Sequence, residues 1–213
     1  TWFLGVCLIS MLAAFTLIFS HATEFRQQIP EFQKLLQPSN LFWLLIAFAG
    51  AKVFHEFGHA LTCKHFGGEC HEMGVMLLLF TPTLYCNVTD SWILRSRWQR
   101  IAVSAAGIVV EIQLAAIAVF CWWYSQPGIV HAVALNTIVV CSIGTVLFNG
   151  NPLLRYDGYF ILADLLEMPN LWQDSRAEVK RLLSKWFLVS ETVVPSDPFN
   201  RRIVLAIYGF ASI

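Results

Sequence analysis

Long apolar runs separated by short polar segments dominate this chain. Four of them cover residues 2–19, 41–63, 101–124 and 129–148. A helix needs about 20 apolar residues to cross the hydrocarbon core of a bilayer, and these runs are close to that length. Because lipid offers backbone groups no partner, the runs predict helices that satisfy their own hydrogen bonds. We therefore expect an all-α polytopic membrane protein.

The first region, residues 1–40, combines an apolar run with a polar segment. The run predicts a transmembrane helix. A cleaved signal peptide is the alternative, but there is no basic segment before the run and no small-residue cleavage site after it. The polar segment carries charges and two prolines, and it predicts an extracytoplasmic loop. Since the chain starts at Thr1 and stops inside an apolar run, we expect it to be a segment of a longer protein.

Basic residues indicate which side of the membrane each polar segment occupies. A basic cluster at 95–100 precedes the third long run, and more basic residues follow residue 154, whereas the turn at 125–128 is uncharged. Short loops rich in Lys and Arg remain cytoplasmic. The basic segments are therefore predicted to be cytoplasmic and the turn to be outside. Lys64, at the end of the second run, also favours the cytoplasmic side.

A shorter apolar run, residues 75–88, is interrupted by Pro82. Its flanks at Lys64 and Arg95 are predicted to lie on the same side, so the run cannot cross the membrane once. It should instead form a re-entrant segment or a short hairpin between the first and second core helices. Non-helical backbone at membrane depth needs protein or a wet cavity beside it. We therefore expect this run to line a site.

The C-terminal region, residues 166–213, is less apolar. Residues 170–188 place apolar and charged positions on opposite faces of a helix, and Ser175 with Glu178 fits a capping box at its start. Such a helix lies on the cytoplasmic membrane surface or packs on the rest of the protein, and the pattern does not decide between the two. Residues from Ile203 onward predict the start of a further, truncated transmembrane helix.

Composition agrees with a membrane protein. The chain is 57% hydrophobic and 13% charged, against about 25% charged residues in soluble domains. Its fourteen acidic and fourteen basic residues cancel, which gives no indication of a nucleic-acid partner. The six cysteines form no CxxC pair and indicate no disulfide framework. Cys63 and Cys70 with His65 and His71 offer a second metal site, although their spacing fits no familiar one.

The segment His55-Glu56-Phe57-Gly58-His59 carries the candidate chemistry and lies in the second apolar run. Two histidines four residues apart lie about 40° apart around a helix, so both imidazoles face one side. This spacing suits two ligands of a tetrahedral zinc ion, with Glu56 as general base. The alternative is two ordinary helix histidines. A carboxylate at membrane depth costs roughly 2.5 to 3.5 kcal/mol, so Glu56 favours a metal or water nearby.

A catalytic zinc ion needs a third protein ligand. Acidic candidates are Glu111 and Asp157, with Glu69 and Glu72 closer in sequence. Asp157 follows a run that returns to the side where the histidine motif ends, within a segment whose proline and glycines would end a helix. Glu111 lies in the middle of its run and is predicted to be too deep to reach the site.

The motif and a later segment resemble the site-2 protease family of intramembrane zinc metalloproteases. That family follows His-Glu-x-x-His with Asn-x-x-Pro-x-x-x-Leu-Asp-Gly, and Asn149, Pro152, Asp157 and Gly158 match it at the same spacing, with Tyr156 in place of Leu. The resemblance implies that Asp157 is the third zinc ligand. It also implies that Asn149, with Pro152 and Gly158 beside it, binds substrate or supports the transition state.

A third element of the family, Gly-Pro-x-x-Asn, is only partly present. Gly107 matches, but Ile108 replaces Pro and Glu111 replaces Asn. Glu111 is therefore predicted either to hydrogen-bond the re-entrant segment or to contact substrate. The resemblance covers residues 41–165, which we take as an intramembrane metalloprotease core. The amino-acid sequence is also similar to a bacterial branch of peptide zinc metalloproteases, which sometimes occurs with secretion-adaptor modules.

The resemblance implies a site-2-protease-like helical core in a bacterial cytoplasmic membrane, with one zinc ion per chain. The expected reaction is hydrolysis of a peptide bond in or near a transmembrane segment of a membrane protein or peptide. Glu56 would activate the water bound to zinc and pass its proton to the leaving amine. We expect this site near the cytoplasmic side. The strand around Pro82 is predicted to hold an unwound substrate by β-addition.

Two other functions compete with this prediction. A membrane zinc transporter also carries His-Glu-x-x-His inside a helix, but it would need further ligands along a pore. A non-catalytic accessory of peptide export would keep zinc as structure, and Glu56 argues against it because a structural site needs no base.

Overall fold

A computed structural model describes residues 2–23, 26, 37–78, 81–186 and 198–212. The described chain is mostly helical. Its helices are α1 (Trp2–Ser20), α2 (Pro38–His65), α3 (Arg97–Tyr124), α4 (Ile129–Ile143), α5 (Asp157–Leu165), α6 (Leu171–Trp186) and α7 (Phe199–Ala211). Two strands, β1 (Met73–Leu78) and β2 (Thr81–Cys86), and a 3₁₀ turn, Thr89–Ile93, lie between α2 and α3. A π-helical segment, Gly144–Asn149, continues α4.

Three helices in the described ranges are long and apolar enough to cross a membrane. They are Pro38–His65, Arg97–Tyr124 and the continuous helix Ile129–Asn149. Only 22%, 33% and 22% of their most apolar windows is buried inside the protein. So much exposed apolar surface is unusual for a soluble monomer, and it makes this a membrane protein.

The first apolar helix is shorter than these three. Its apolar part covers Gly5–Ser20, so a crossing by α1 remains a prediction. This helix packs on α3, where Ser10 Oγ and Gln113 exchange hydrogen bonds of 3.1 and 2.9 Å. The predicted loop at 21–40 lies largely outside the described residues, and its last three residues already belong to α2.

Close packing of small residues brings α2 against α3. A Cβ added at Gly58 would lie 2.9 Å from Val110 Cγ2 and 3.1 Å from the carbonyl oxygen of Ala106. Small residues at such contacts let helix backbones approach closely in membranes. At the start of α2, the side chains of Asn40 and Asn136 hydrogen-bond each other at 3.0 and 2.9 Å. The glycine contact thus brings α2 to α3 at the histidine motif, and the asparagine pair holds the other end of α2 to α4.

The short apolar run forms a β-hairpin, one of the two predicted alternatives. Strands β1 and β2 pair antiparallel in register from Met73↔Cys86 to Leu78↔Thr81. The pairing continues beyond the strands, because the Asn87 amide donates to Glu72 O at 2.8 Å. Residues 79 and 80, which connect the strands, lie outside the described residues.

The amphipathic C-terminal helix packs on its neighbour, as one of its two alternatives predicted. A Cβ at Gly209 in α7 would lie 2.8 Å from Ser175 O in α6, and Arg202 Nε donates to Glu178 Oε1 at 3.2 Å. The predicted capping box is wrong. Helix α6 begins at Leu171, and the Ser175 hydroxyl donates to Trp172 O at 3.0 Å, so Ser175 lies inside the helix.

The chain between α4 and α6 is tied back to α3 by ion pairs. Arg100 Nε lies 2.5 Å from Asp164 Oδ1, and Arg97 lies 2.6 Å from Glu167. The Tyr208 hydroxyl also donates to the carbonyl of Pro152 at 3.0 Å. These contacts hold the end of α5 against α3 and the segment before α5 against α7.

Candidate metal centre

The structure brings His55, His59 and Asp157 into one buried group. The Nε2 atoms of the two histidines are 3.1 Å apart. Asp157 Oδ2 lies 3.2 Å from His55 Nε2, and Asp157 Oδ1 lies 3.4 Å from His59 Nε2. A tetrahedral zinc ion with ligands at about 2.0 to 2.1 Å separates them by roughly 3.3 to 3.4 Å. This group could therefore hold a metal ion.

Local structure explains how each ligand atom reaches this position. His55 and His59 are one turn apart on α2, and their ring centroids are 4.7 Å apart. Asp157 is the first residue of α5. A Cβ at Gly158 would lie 2.7 Å from the carbonyl of Gly150, so glycine allows α5 to begin directly against the end of the π-helical segment. Because the π-helical segment ends at Asn149 and α5 begins at Asp157, the chain between them turns and brings Asp157 back toward α2.

Gly107 on α3 leaves the space in front of the imidazoles. A Cβ at this position would lie 2.6 Å from the Nε2 atoms of both His55 and His59. Real Cβ atoms do not approach other heavy atoms this closely, so any side chain would displace the rings. The glycine therefore forms the wall of the space into which the ligand atoms converge.

Outer contacts orient the two imidazoles. His59 Nδ1 lies 2.8 Å from the Val103 carbonyl oxygen, so this nitrogen carries the proton and Nε2 faces Asp157. His55 Nδ1 lies 3.1 Å from Glu111 Oε1. That nitrogen has no aligned hydrogen bond, and we treat its contact with Glu111 as electrostatic.

A bound cation would satisfy the buried acceptor atoms of this group. Asp157 Oδ2 is buried and has no hydrogen-bond partner. With the proton of each imidazole on Nδ1, two nitrogen lone pairs and the carboxylate of Asp157 would converge without a hydrogen between them. Buried acceptors without a donor are unfavourable, and a bound metal ion supplies the missing positive charge. The donor set therefore fits a metal.

Glu56 lies next to this group and remains half-buried. Its carboxylate interacts electrostatically with His59, His55 and Asp157. Cys86 at the end of β2 also feels the charge of Glu56, and β2 contacts α2. The carboxylate is therefore within electrostatic range of both the candidate metal position and the end of β2.

Glu111 reaches the site, contrary to the prediction that it lies too deep. The residue is 1% exposed, and its carboxylate contacts the outer nitrogen of His55 rather than joining the ligand atoms. It accepts hydrogen bonds from Thr145 and Asn149 at 2.6 and 2.7 Å. Among the described residues, its hydrogen-bond and ion-pair partners lie on the π-helical segment and α2, and the predicted bond to the re-entrant segment is not seen there. A contact with substrate is untested.

Sequence reasoning missed Lys52 and Thr145 as partners in this network. Lys52 Nζ lies 2.7 Å from Glu111 Oε1. A lysine inside an apolar helix is costly unless a carboxylate pairs with it, so the charge at position 52 could have indicated a partner. Thr145 gave no such signal, because threonine is common in apolar helices.

The predicted substrate residues of the second motif are also positioned. Asn149 is 5% exposed and its amide is held by Glu111, while the Pro152 carbonyl accepts from Tyr208. Both contacts are internal to the protein. Their roles toward substrate remain predictions.

The alternative metal site near the hairpin is not formed. Among the described residues, His55, His59 and Asp157 form the one group with metal-ligand geometry. Cys63, Cys70, His65 and His71 therefore do not form the second metal site that was considered as an alternative. His71 instead pairs with Asp90 at 2.9 Å, and this hydrogen bond raises the pKa of His71 and lowers that of Asp90.

The other two acidic candidates, Glu69 and Glu72, lie just before strand β1. Glu72 accepts from the Tyr85 hydroxyl at 3.3 Å, and the Glu69 amide donates to Asp90 at 3.1 Å. Neither side chain joins the ligand group. Asp157 is thus the acidic residue that accompanies the histidines.

No family model, curated protein or solved structure matches this chain. The fold and the site therefore rest on the residues themselves. They define a mostly helical membrane protein with a buried group of two histidines and one aspartate. Such a group could hold a metal ion through three protein ligands.

Proposed function

We propose that this chain is a zinc-dependent intramembrane endopeptidase of the site-2 protease type. One observation carries the proposal: the ligand atoms of His55, His59 and Asp157 lie 3.1 to 3.4 Å apart, with Glu56 beside them. Two imidazoles and a carboxylate are a frequent ligand set of catalytic zinc. The sequence motifs that resemble the site-2 protease family supply the same four residues.

Zinc is favoured over other metals by the ligand chemistry. Magnesium and calcium prefer sites made of oxygen atoms, whereas two imidazoles suit zinc and the later transition metals. When bound, zinc would polarise the scissile carbonyl and acidify water at the open position. We therefore propose one zinc ion per chain, held by His55, His59 and Asp157.

The carboxylate of Glu56 acts as general base in this proposal. It accepts a proton from the attacking water and later donates it to the amine that leaves. Its half-buried position suits this role, because a base must be reached by water but shielded from bulk solvent. The apolar walls of α2 and α3 limit the water that competes for the peptide.

The proposed substrate is a transmembrane segment of a membrane protein or peptide. A helical peptide bond is shielded by its own hydrogen bonds, so the segment must unwind before attack. The hairpin of β1 and β2 has only two strands, and its outer edges offer backbone groups to an added strand. Contact between β2 and α2 supports binding of such a strand near the metal.

The location follows from the charge pattern. We propose that the site lies near the cytoplasmic face, because the basic segments that flank its helices favour that side. The resemblance to a bacterial branch of peptide zinc metalloproteases further suggests a bacterial cytoplasmic membrane. Transport of zinc is less well supported, since the described residues contain no second metal-type group along the spans. A secretion-adaptor module in the full-length protein remains part of the proposal.

Exchange of Glu56 for glutamine tests the peptidase. Purified wild type and Glu56→Gln are compared on a panel of transmembrane substrates, with zinc content measured on the same samples. We expect cleavage to fall by about 100- to 10,000-fold while zinc remains bound. Glu167→Gln, an exposed carboxylate paired with Arg97, is the matched control and should cleave normally. Equal cleavage by wild type and Glu56→Gln would refute the proposal.

A further inference from the structure

A largely buried ion pair of a lysine and a glutamate lies beside His55, at the ring nitrogen that faces away from Asp157. Lys52 lies one turn before His55 on α2, and Glu111 is in the middle of α3. Their charged atoms are 2.7 Å apart, with the side chain of Lys52 24% exposed and that of Glu111 2% exposed. Charges at membrane depth are costly, and they usually mark function.

Each oxygen of the Glu111 carboxylate has its own set of partners. Oε1 faces Lys52 and the Nδ1 atom of His55. Oε2 accepts from Thr145 and Asn149 on the π-helical segment. Glu111 thus connects the helix that carries both histidines to the segment that leads into Asp157. A π-helical turn in a helix is often found at functional sites.

The positions of the atoms indicate what the carboxylate does for His55. If Nε2 of His55 binds a metal, its proton must be on Nδ1, which is the atom that faces Glu111 Oε1 at 3.1 Å. A carboxylate at the outer nitrogen fixes the tautomer of a metal-binding imidazole and makes it a stronger ligand. Without Lys52, the carboxylate of Glu111 would be a buried negative charge with no cation to compensate it.

The charges of the region also balance. A divalent cation would be neutralised by Asp157 and Glu56. Glu111 is neutralised by Lys52, so the carboxylate can stay ionised whether or not a metal is bound. The pair therefore places a carboxylate 3.1 Å from His55 Nδ1 without adding net charge to the region.

We propose that Lys52 and Glu111 are a positioning pair that sets the metal affinity of the site through His55. This inference rests on the proposed metal centre but not on the peptidase activity. The competing interpretation is that the pair only joins α2 to α3. A neutral replacement of both residues distinguishes the two, because it removes the negative charge that faces His55 without leaving an unpaired charge.

The test compares wild type with Lys52→Met/Glu111→Gln in detergent or nanodiscs. Zinc affinity is measured by competition with a chelator, the visible spectrum of the cobalt-substituted protein reports ligand geometry, and thermal unfolding reports stability. We expect the double variant to bind zinc about 10- to 100-fold more weakly with a changed cobalt spectrum. Wild-type zinc affinity with an unchanged cobalt spectrum would overturn the inference.

Two further variants keep the test decisive. Glu111→Asp retains the charge but withdraws the carboxylate by one methylene group, so it should also weaken zinc binding, and an unchanged affinity would count against the inference. Gln113→Leu removes the hydrogen bonds to Ser10 at a similar depth in α3 but away from the site. Its zinc affinity should stay within about twofold of wild type, and a loss like that of the double variant would also overturn the inference.

The outcome is separable from that of the proposed function. Tight zinc binding by wild type and weak binding by the double variant support the positioning pair even where no substrate is cleaved. An inactive Glu56→Gln variant together with equal zinc affinity in the double variant supports the peptidase and refutes the pair.

Discussion

Two regions of this protein are rich in metal-binding side chains, but among the described residues only one of them brings its ligand atoms together. His55, His59 and Asp157 converge within 3.1 to 3.4 Å, although about a hundred residues separate the aspartate from the histidines. The cysteines and histidines between positions 63 and 71 are close in sequence and do not converge. Proximity along the chain is therefore a poor guide to a metal site.

The difference lies in the backbone that carries each set. One turn of α2 holds the two histidines at a fixed spacing, and Gly107 and Gly58 let α3 approach. In the second region the chain turns directly after α2 and leads into the hairpin, where His71 is paired with Asp90 and Cys70 Sγ lies 3.2 Å from Cys86 Sγ. Rigid helices with small residues at their contact can direct side chains to one point, whereas those of the second region pair locally.

Removing a single ligand should have the largest effect on zinc affinity, and only in the first of the two regions. We expect His59→Ala or Asp157→Ala to weaken zinc binding about 100- to 1,000-fold, because zinc sites bind with roughly 10 to 16 kcal/mol shared among four ligands. Cys70→Ser and His71→Ala should leave the affinity unchanged. Chelator competition on purified protein measures all four. Loss of zinc from the Cys70 or His71 variant alone would reverse the comparison.

Filling the space beside the imidazoles should have an intermediate effect. Gly107→Ala places a methyl group 2.4 Å from His55 Cε1, so the rings must move. Overpacking of this kind costs about 1 to 3 kcal/mol, and we expect zinc affinity to fall by about 10- to 100-fold. Gly50→Ala is the control, since its added Cβ meets nothing within 4 Å. Equal affinities for the two variants would show that Gly107 does not border the metal position.

The smallest effect concerns pH and the second region. The hydrogen bond between His71 and Asp90 raises the pKa of His71 and lowers that of Asp90. The stability that His71 adds to the folded state is therefore fully present below about pH 6.5 and is lost as pH rises through its raised pKa. The stability that Asp90 adds is fully present above about pH 3.9 and is lost as pH falls through its lowered pKa.

Hydrogen exchange at the base of the hairpin measures this pair. The Glu69 amide donates to Asp90, so its protection, corrected for intrinsic exchange, should be highest between about pH 4 and 6.5. The change should be at most about fivefold, as expected for an exposed ion pair. Asp90→Asn should abolish it. A protection profile that is the same in Asp90→Asn and wild type would exclude the pair as its cause.

Much of the fold could be predicted from the length of the apolar runs, because a membrane fixes the length of a spanning helix. The bounds of α2, α3 and α4 with its π-helical continuation lie within a few residues of the apolar runs. The choice between a hairpin and a re-entrant segment could not be made, since strand pairing depends on contacts along the whole run. The capping box at Ser175 was wrong because helix α6 begins one turn earlier.

The site was predictable where residues share one helix or one motif. His55 and His59 needed only helical spacing, and Asp157 needed the second motif. The positions of Lys52, Thr145 and Glu111 depend on how three helices pack, and no local pattern records that packing. A charged residue in an apolar run indicates that a partner exists, but it does not say which one.

X-ray absorption at the zinc edge of the purified wild-type chain tests the central claim most directly. The account predicts one zinc ion per chain, with two imidazoles and oxygen ligands at about 2.0 to 2.1 Å and no sulfur. A chain that binds no zinc, or a zinc–sulfur distance of about 2.3 Å, would contradict it. The second result would move the metal to the cysteines of the other region.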